Sequence, residues 1–297
     1  MSLQRKTNIE ILSTSGYCQG VDRAINIALR AKIENPSKQI LVLGMLVHNK
    51  TVINKLKEQG IITIDTRNLT NDNLEKILPM ESIVVLPAHG HIKEYDKILE
   101  KKHAKIYDAI CPKVMMNLKI IEEETKKGRH VIYIGNKDHP ETKAALSLNK
   151  LVILYDTELL KNNQINTNEE ITVINQTTLN YLDLKKIHER IKQRFPNANI
   201  LNEICGATRI RQEAIANSSK SIDLIVIVGD RSSSNTKRLY EIARVSHPNV
   251  DVIYVESKEE IDLSILSDKK YILIASGAST PKETIKDVYD FLSVNLN

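Results

Sequence analysis

Tryptophan is absent from this chain of 297 residues, phenylalanine occurs twice, and there are only ten glycines and three cysteines. Three cysteines are wrong for a disulfide framework, and with no CxxC pair they offer no zinc knuckle. No apolar run approaches the ~18 residues that a membrane span requires; the stretch Ile222–Gly229, broken only by Asp223, is among the longest. The N-terminal sequence MSLQRKTNIE has no apolar segment of the kind a secretory signal carries. Basic blocks interleaved with aromatics are lacking too, and the net charge of +5 is spread through alternating Lys and Glu. Nucleic acid is therefore not an expected partner, nor is a membrane, and the expected location is the cytoplasm. Neither GxxxxGK[ST] nor GxGxxG occurs, which argues against the nucleotide sites built on those loops.

What is present is a regular alternation. Short β-branched apolar runs such as Ile40–Leu43, Ser82–Leu86, His130–Ile134, Ile171–Ile174, Leu224–Val228 and Tyr271–Ile274 are separated by amphipathic stretches. In Val21–Lys32 the apolar positions Val21, Ala24, Ile25, Ala28 and Leu29 follow the spacing of one buried helix face. Comparable stretches cover Thr51–Gln59, Val114–Lys127, Thr208–Lys220 and Pro281–Leu292. Strands alternating with helices predict an α/β fold with mostly parallel sheets and helices on both faces, its ligands at the strand C-termini.

The cysteines supply the period. Cys18, Cys111 and Cys205 are almost equally spaced, and each opens a predicted helix, in GYCQGVDRA, AICPKVMMN and EICGATRIR. Equal spacing predicts three similar α/β units, 1–108, 109–202 and 203–297, in pseudo-threefold arrangement, each delivering one thiol to a common centre. Buried thiols that merely pack are the plainer alternative. A helix N-terminus favours the thiolate, and three soft thiolates suit an iron–sulfur cluster better than zinc, whose structural sites want four ligands. A cubane held by three cysteines leaves one iron open to substrate oxygen.

Scarce glycine and polar side chains gather at the same predicted strand ends. Gly16 and Gly20 flank Cys18, Gly90 follows His89, Gly206 follows Cys205, and Gly135, Gly229 and Gly277 close apolar runs. Beside them stand Val47-His48-Asn49, Ala88-His89-Gly90, His139-Pro140-Glu141, Asn175-Gln176-Thr177-Thr178, Ser232-Ser233-Ser234-Asn235 and Gly277-Ala278-Ser279-Thr280. Hydroxyls, amides and helix N-termini together form an anion site of the kind phosphate fills, although Ser233 or Ser234 could equally serve as an N-cap. Glu141 is open to two readings, a catalytic acid or a carboxylate favoured by the helix dipole. His91, His103, His130, His188 and His247 read as solvated or hydrogen-bonded loop residues.

Nine motifs in this order resemble the IspH/LytB family of 4-hydroxy-3-methylbut-2-enyl diphosphate reductases, which act in the non-mevalonate isoprenoid pathway. They are GYCQGV at Cys18, VHN at His48, AHG at His89, CPxV at Cys111, HPE at His139–Glu141, QTTL at Thr177, ICxATxxRQ at Cys205, SSN at Ser233–Asn235 and GAS at Ser279. The resemblance implies three α/β domains around one 4Fe-4S cluster per chain, with Cys18, Cys111 and Cys205 as ligands. It implies that His48, His89, His139, Thr178, Ser233, Ser234, Asn235 and Ser279 bind the diphosphate substrate, and that Glu141 with Thr177 delivers protons at its hydroxyl. The reaction implied is a reductive dehydration to isopentenyl and dimethylallyl diphosphate, the last step of that pathway, with the hydroxyl at the open iron and electrons from a ferredoxin or flavodoxin. The alternative enzyme is a non-redox iron–sulfur hydro-lyase acting on an anionic substrate, and the alternative from another class is an anion-binding receptor. Two departures from the family pattern stand beside the site: Ile110 replaces a usual Thr, and Thr142-Lys143-Ala144-Ala145-Leu146 replaces VxGxxG.

Overall fold

A computed structural model of the chain describes residues 7–157, 165, 169–201 and 204–296. The unit boundary expected at Asn202 lies outside these residues. In chain order the elements are β1 (Asn8–Ile11), α1 (Gln19–Glu34), β2 (Ile40–Leu43), α2 (Lys50–Glu58), β3 (Ile61–Ile64), α3 (Asn71–Ile77), β4 (Ile83–Leu86), α4 (Glu94–Lys101) and β5 (Lys105–Asp108). There follow α5 (Pro112–Lys126), β6 (Val131–Ile134), α6 (Pro140–Leu148), β7 (Val152–Leu154), β8 (Thr172–Asn175), α7 (Tyr181–Arg194) and β9 (Asn199–Ile200). Last come α8 (Gly206–Ala216), β10 (Leu224–Val228), α9 (Ser234–Ser246), β11 (Asp251–Val255), β12 (Tyr271–Ser276) and α10 (Lys282–Leu296).

Among the described residues every strand pairing is parallel, in three sheets of four strands ordered β1-β12-β10-β11, β3-β2-β4-β5 and β7-β6-β8-β9. The inner strands ILVL, IVVL, VIYI, TVIN and LIVIV are buried along their whole length. That is why they lack polar alternation: helices cover both faces of a parallel sheet. The chain forms two compact units. One comprises residues 7–19, 48–52 and 206–296 and holds the β1-β12-β10-β11 sheet; the other, residues 20–47 and 53–205, holds the remaining two. In the first unit the core joins Val226, Ile274, Val288 and Leu292. In the second, Leu43, Leu86 and Leu99 form one cluster, with Val173, Ile191 and Phe195 in another.

The three sheets repeat one topology. Each has two inner strands, an outer strand beside the first of these (β3, β7, β11) and an outer strand beside the second (β5, β9, β1). The last member of that series is the first strand of the chain, because β1 pairs with β12 from Asn8↔Tyr271 to Ile11↔Ile274. Each of these closing strands leads directly to a cysteine and then to a helix. This is the physical origin of the cysteine period: a four-stranded repeat whose final copy is completed by the N-terminus. Ile110, at the Thr position of the family pattern, is 7% exposed and packs in the apolar cluster with Leu86 and Val114.

Candidate active site

The same hydrogen bond recurs at all three cysteines. The Cys18 N–H donates to the Ala278 carbonyl at 3.1 Å, Cys111 N–H to Ala88 at 2.9 Å, and Cys205 N–H to Thr177 at 3.0 Å. Each acceptor lies in the loop that leaves the second inner strand of the same sheet, and the residue after it is Ser279, His89 or Thr178. Helices α1, α5 and α8 begin immediately after the cysteines, with Cys111 as N-cap and Pro112 in the first turn. All three cysteines are half-buried and none is in a disulfide. In the first unit, Gly16 adopts φ +95° in the loop before Cys18, a backbone state that favours glycine. The buried Arg211 guanidinium donates to its carbonyl at 2.9 Å. Among the described residues, no three His, Cys, Asp or Glu side chains are grouped to hold a single metal ion. The three thiols fit an iron–sulfur cluster by donor type, by their freedom from disulfides and by their placement at helix N-termini.

In the first unit the predicted anion residues form one hydrogen-bonded set. Ser233 caps α9 by accepting from Thr236 N–H at 3.3 Å. Asn235 Oδ1 accepts from the Ala278 N–H at 3.0 Å, and its Nδ2 donates to Thr208 Oγ1 at 3.2 Å. Ser279 Oγ donates to the His48 carbonyl at 2.9 Å. Asp230 accepts the Lys50 N–H at 2.7 Å, which anchors the start of α2 two residues after His48. Ser234 is the first residue of α9 and is half-buried. Cys18, His48, Ser233, Asn235 and Ser279 are thereby tied together through their loops.

In the second unit a second set runs from Cys111 to Cys205. His89, next to the carbonyl that receives Cys111, meets the His139 ring edge-on at 5.7 Å. His139 caps α6, its Nδ1 accepting from the Glu141 N–H at 3.2 Å. Glu141 is 2% exposed. Its Oε1 accepts from Thr177 N–H at 2.9 Å and from Tyr133 Oη at 3.3 Å, and its Oε2 accepts from Thr177 Oγ1 at 2.9 Å. Burial pushes the Glu141 carboxyl up to about 7, against the pull of the Thr177 and Tyr133 hydrogen bonds. A carboxyl held there is about half protonated at neutral pH, poised to give up a proton as a general acid must. Thr178 Oγ1 accepts from Gln176 Nε2 at 2.9 Å.

The family model described as LytB protein matches residues 9–293. This chain belongs to the LytB family. A LytB relative from Geobacillus kaustophilus (strain HTA426), named 4-hydroxy-3-methylbut-2-enyl diphosphate reductase, is 36% identical over 285 residues, covering 95% of this chain and 88% of that one. A protein of the same name from Fusobacterium nucleatum subsp. nucleatum is 36% identical over 290 residues, and this chain spans 34% of its length. The solved structure of the E-1-hydroxy-2-methyl-but-2-enyl-4-diphosphate reductase from Plasmodium falciparum matches with a TM-score of 0.87 at 27% identity, covering 96% of this chain and 87% of that one. Membership of LytB makes this chain an oxidoreductase, and the three four-stranded parallel units are the fold of its solved relatives. Among the described residues, no helix is long and apolar enough to cross a membrane.

Of the histidines expected to lie in loops, His91 bonds Asp96 at 2.7 Å and His130 bonds Glu169 at 2.9 Å. His188 instead sits within α7, and His247 is a buried C-cap that bonds the Ile215 carbonyl at 2.9 Å. Sequence reasoning passed over Tyr133, Thr208 and Arg211. Tyr133 is concealed in an apolar run; Arg211 lies inside the quoted ICxATxxRQ motif, where its burial was the missing information.

Proposed function

We propose that this chain performs the reductive dehydration of 4-hydroxy-3-methylbut-2-enyl diphosphate, the last step of the non-mevalonate pathway. Two electrons and two protons enter, and water leaves with isopentenyl or dimethylallyl diphosphate. The observation that carries this reading is the buried Glu141–Thr177 pair, a carboxyl whose pKa burial raises to about 7, beside a hydroxyl at the head of α6. Cys18, Cys111 and Cys205 would hold one 4Fe-4S cluster per chain. When bound, the cluster supplies electrons and a Lewis-acidic iron for the C–O bond.

The rest of the chemistry belongs to the chain. Protonated Glu141 donates from Oε2 to Thr177 Oγ1, which frees the threonine proton for the departing oxygen, so that water leaves instead of hydroxide. The diphosphate is met by His48, His89 and His139, by Thr178, and by Ser233, Ser234, Asn235 and Ser279, the last set including the N-terminus of α9. The ordered loops hold these groups before substrate arrives, which reduces the ordering cost of binding. A ferredoxin or flavodoxin would deliver the electrons in the cytoplasm, with no membrane or nucleic acid involved.

The test is an anaerobic assay of the reconstituted chain with the allylic diphosphate and a chemical reductant. Product formation should consume reductant stoichiometrically, with about four irons per chain. Tightly bound zinc with no iron would overturn the cluster, and turnover without reductant would point to the hydro-lyase.

A further inference from the structure

Glu141 has a third partner that the proton-transfer scheme leaves unused. Tyr133 lies on β6 with 0% exposure, and its Oη reaches Glu141 Oε1 at 3.3 Å. The ring is closely confined. A Cβ on Gly135 would lie 2.9 Å from Tyr133 Cε1 and would run into Thr142 Oγ1. Thr142 is itself fully buried and belongs to the segment that departs from the family pattern.

A carboxyl oxygen offers two in-plane lone pairs, and a backbone N–H can only donate. Oε1 receives the Thr177 N–H and faces the Tyr133 hydroxyl, whereas Oε2 faces a hydroxyl oxygen that can accept. We propose that Tyr133 is a positioning residue for the Glu141 acid: its hydroxyl fills the second lone pair of Oε1 and confines the transferable proton to Oε2, against Thr177. The proposal rests on Glu141 being the proton donor. The ionisable groups around Glu141 are Tyr133 on β6, His139 at the head of α6, and His89, which meets the His139 ring; Asp138 and Lys143 flank it on its own segment and are exposed. Thr177, from the loop after β8, does not titrate in this range.

The experiment compares reconstituted full-length wild type, Tyr133→Phe and Glu141→Gln by two readouts, the pH titration of the carboxylic-acid infrared band and the pH profile of kcat. The band assigned to Glu141 is the one Glu141→Gln lacks. A donor lost from the carboxylate raises its pKa, so Tyr133→Phe should move the band midpoint upward by about one pH unit. The alkaline limb of kcat should follow, with KM unchanged and a several-fold loss of kcat below the midpoint. A ring-fluorinated tyrosine at position 133, a stronger donor of nearly the same volume, should move the midpoint downward and guards against a folding defect in the phenylalanine variant. An unmoved midpoint, or a downward shift in Tyr133→Phe, means that Tyr133 does not donate to Oε1 and overturns the proposal. Near-normal turnover in Glu141→Gln removes the proton-donor reading instead, and the infrared titration still reports on Tyr133.

Discussion

Raising the pH through neutrality should destabilise this chain, and one buried carboxyl sets the size of the effect. Glu141 is fully enclosed, and burial lifts its pKa from the ordinary 4.5 to about 7. Between those values the folded chain keeps a proton that the unfolded chain has lost. The associated stability is therefore complete below the ordinary pKa, falls as pH rises, and levels off above the folded pKa. At about 1.4 kcal/mol per pH unit, the fall amounts to about 3 kcal/mol. That is a large share of the roughly 5–15 kcal/mol that holds a domain together. Glu124 acts with the opposite sign: Lys127, then Arg129 and Thr172, hold it at about 2 against burial, so its contribution is lost only in acid. Glu141→Gln cannot titrate at position 141 and leaves Glu124 untouched. Urea unfolding of both proteins from pH 5 to pH 8 should show the variant gaining on wild type by about 2.5 kcal/mol across the range. A difference that stays constant with pH would refute the claim that the fold raises the Glu141 pKa.

Other perturbations test the loops that hold the site. Gly277→Ala would drive a Cβ into the Thr236 side chain, and the unfolding midpoint should fall in line with an overpacking cost of about 1–3 kcal/mol. Asn235→Ala strips the Ala278 N–H of its acceptor and Thr208 of its donor. It should cost about 1–3 kcal/mol in denaturant titration and raise KM for the diphosphate. Thr177→Val keeps the volume and the backbone donor but removes Oγ1, so kcat should drop by roughly a hundredfold or more with iron content unchanged.

Much of the architecture is legible in the sequence. The inner strands announced themselves as short, unbroken β-branched runs because both of their faces are covered, and five of the expected helices correspond to α1, α2, α5, α8 and α10. The candidate site was legible for a related reason: the residues that touch a ligand at strand ends are polar, and few other places in a parallel sheet place polar groups directly after apolar runs. Two-residue β9 was missed because so short a strand has no pattern of its own; its pairing with β8 defines it. Tyr133 was missed because a tyrosine within VIYI reads as core.

By itself the sequence determined the alternation of strand and helix, the repeat marked by its cysteines, and the set of polar residues at the strand ends, since each depends on neighbours along the chain. Tertiary structure alone decided that the first strand completes the last sheet, a parallel pairing of Asn8 with Tyr271 that no local pattern can specify. It alone also decided the state of Glu141. Its pKa rises to about 7 because the fold buries the carboxyl away from water, against the pull of hydrogen bonds from Tyr133 and Thr177, two residues distant in sequence from one another.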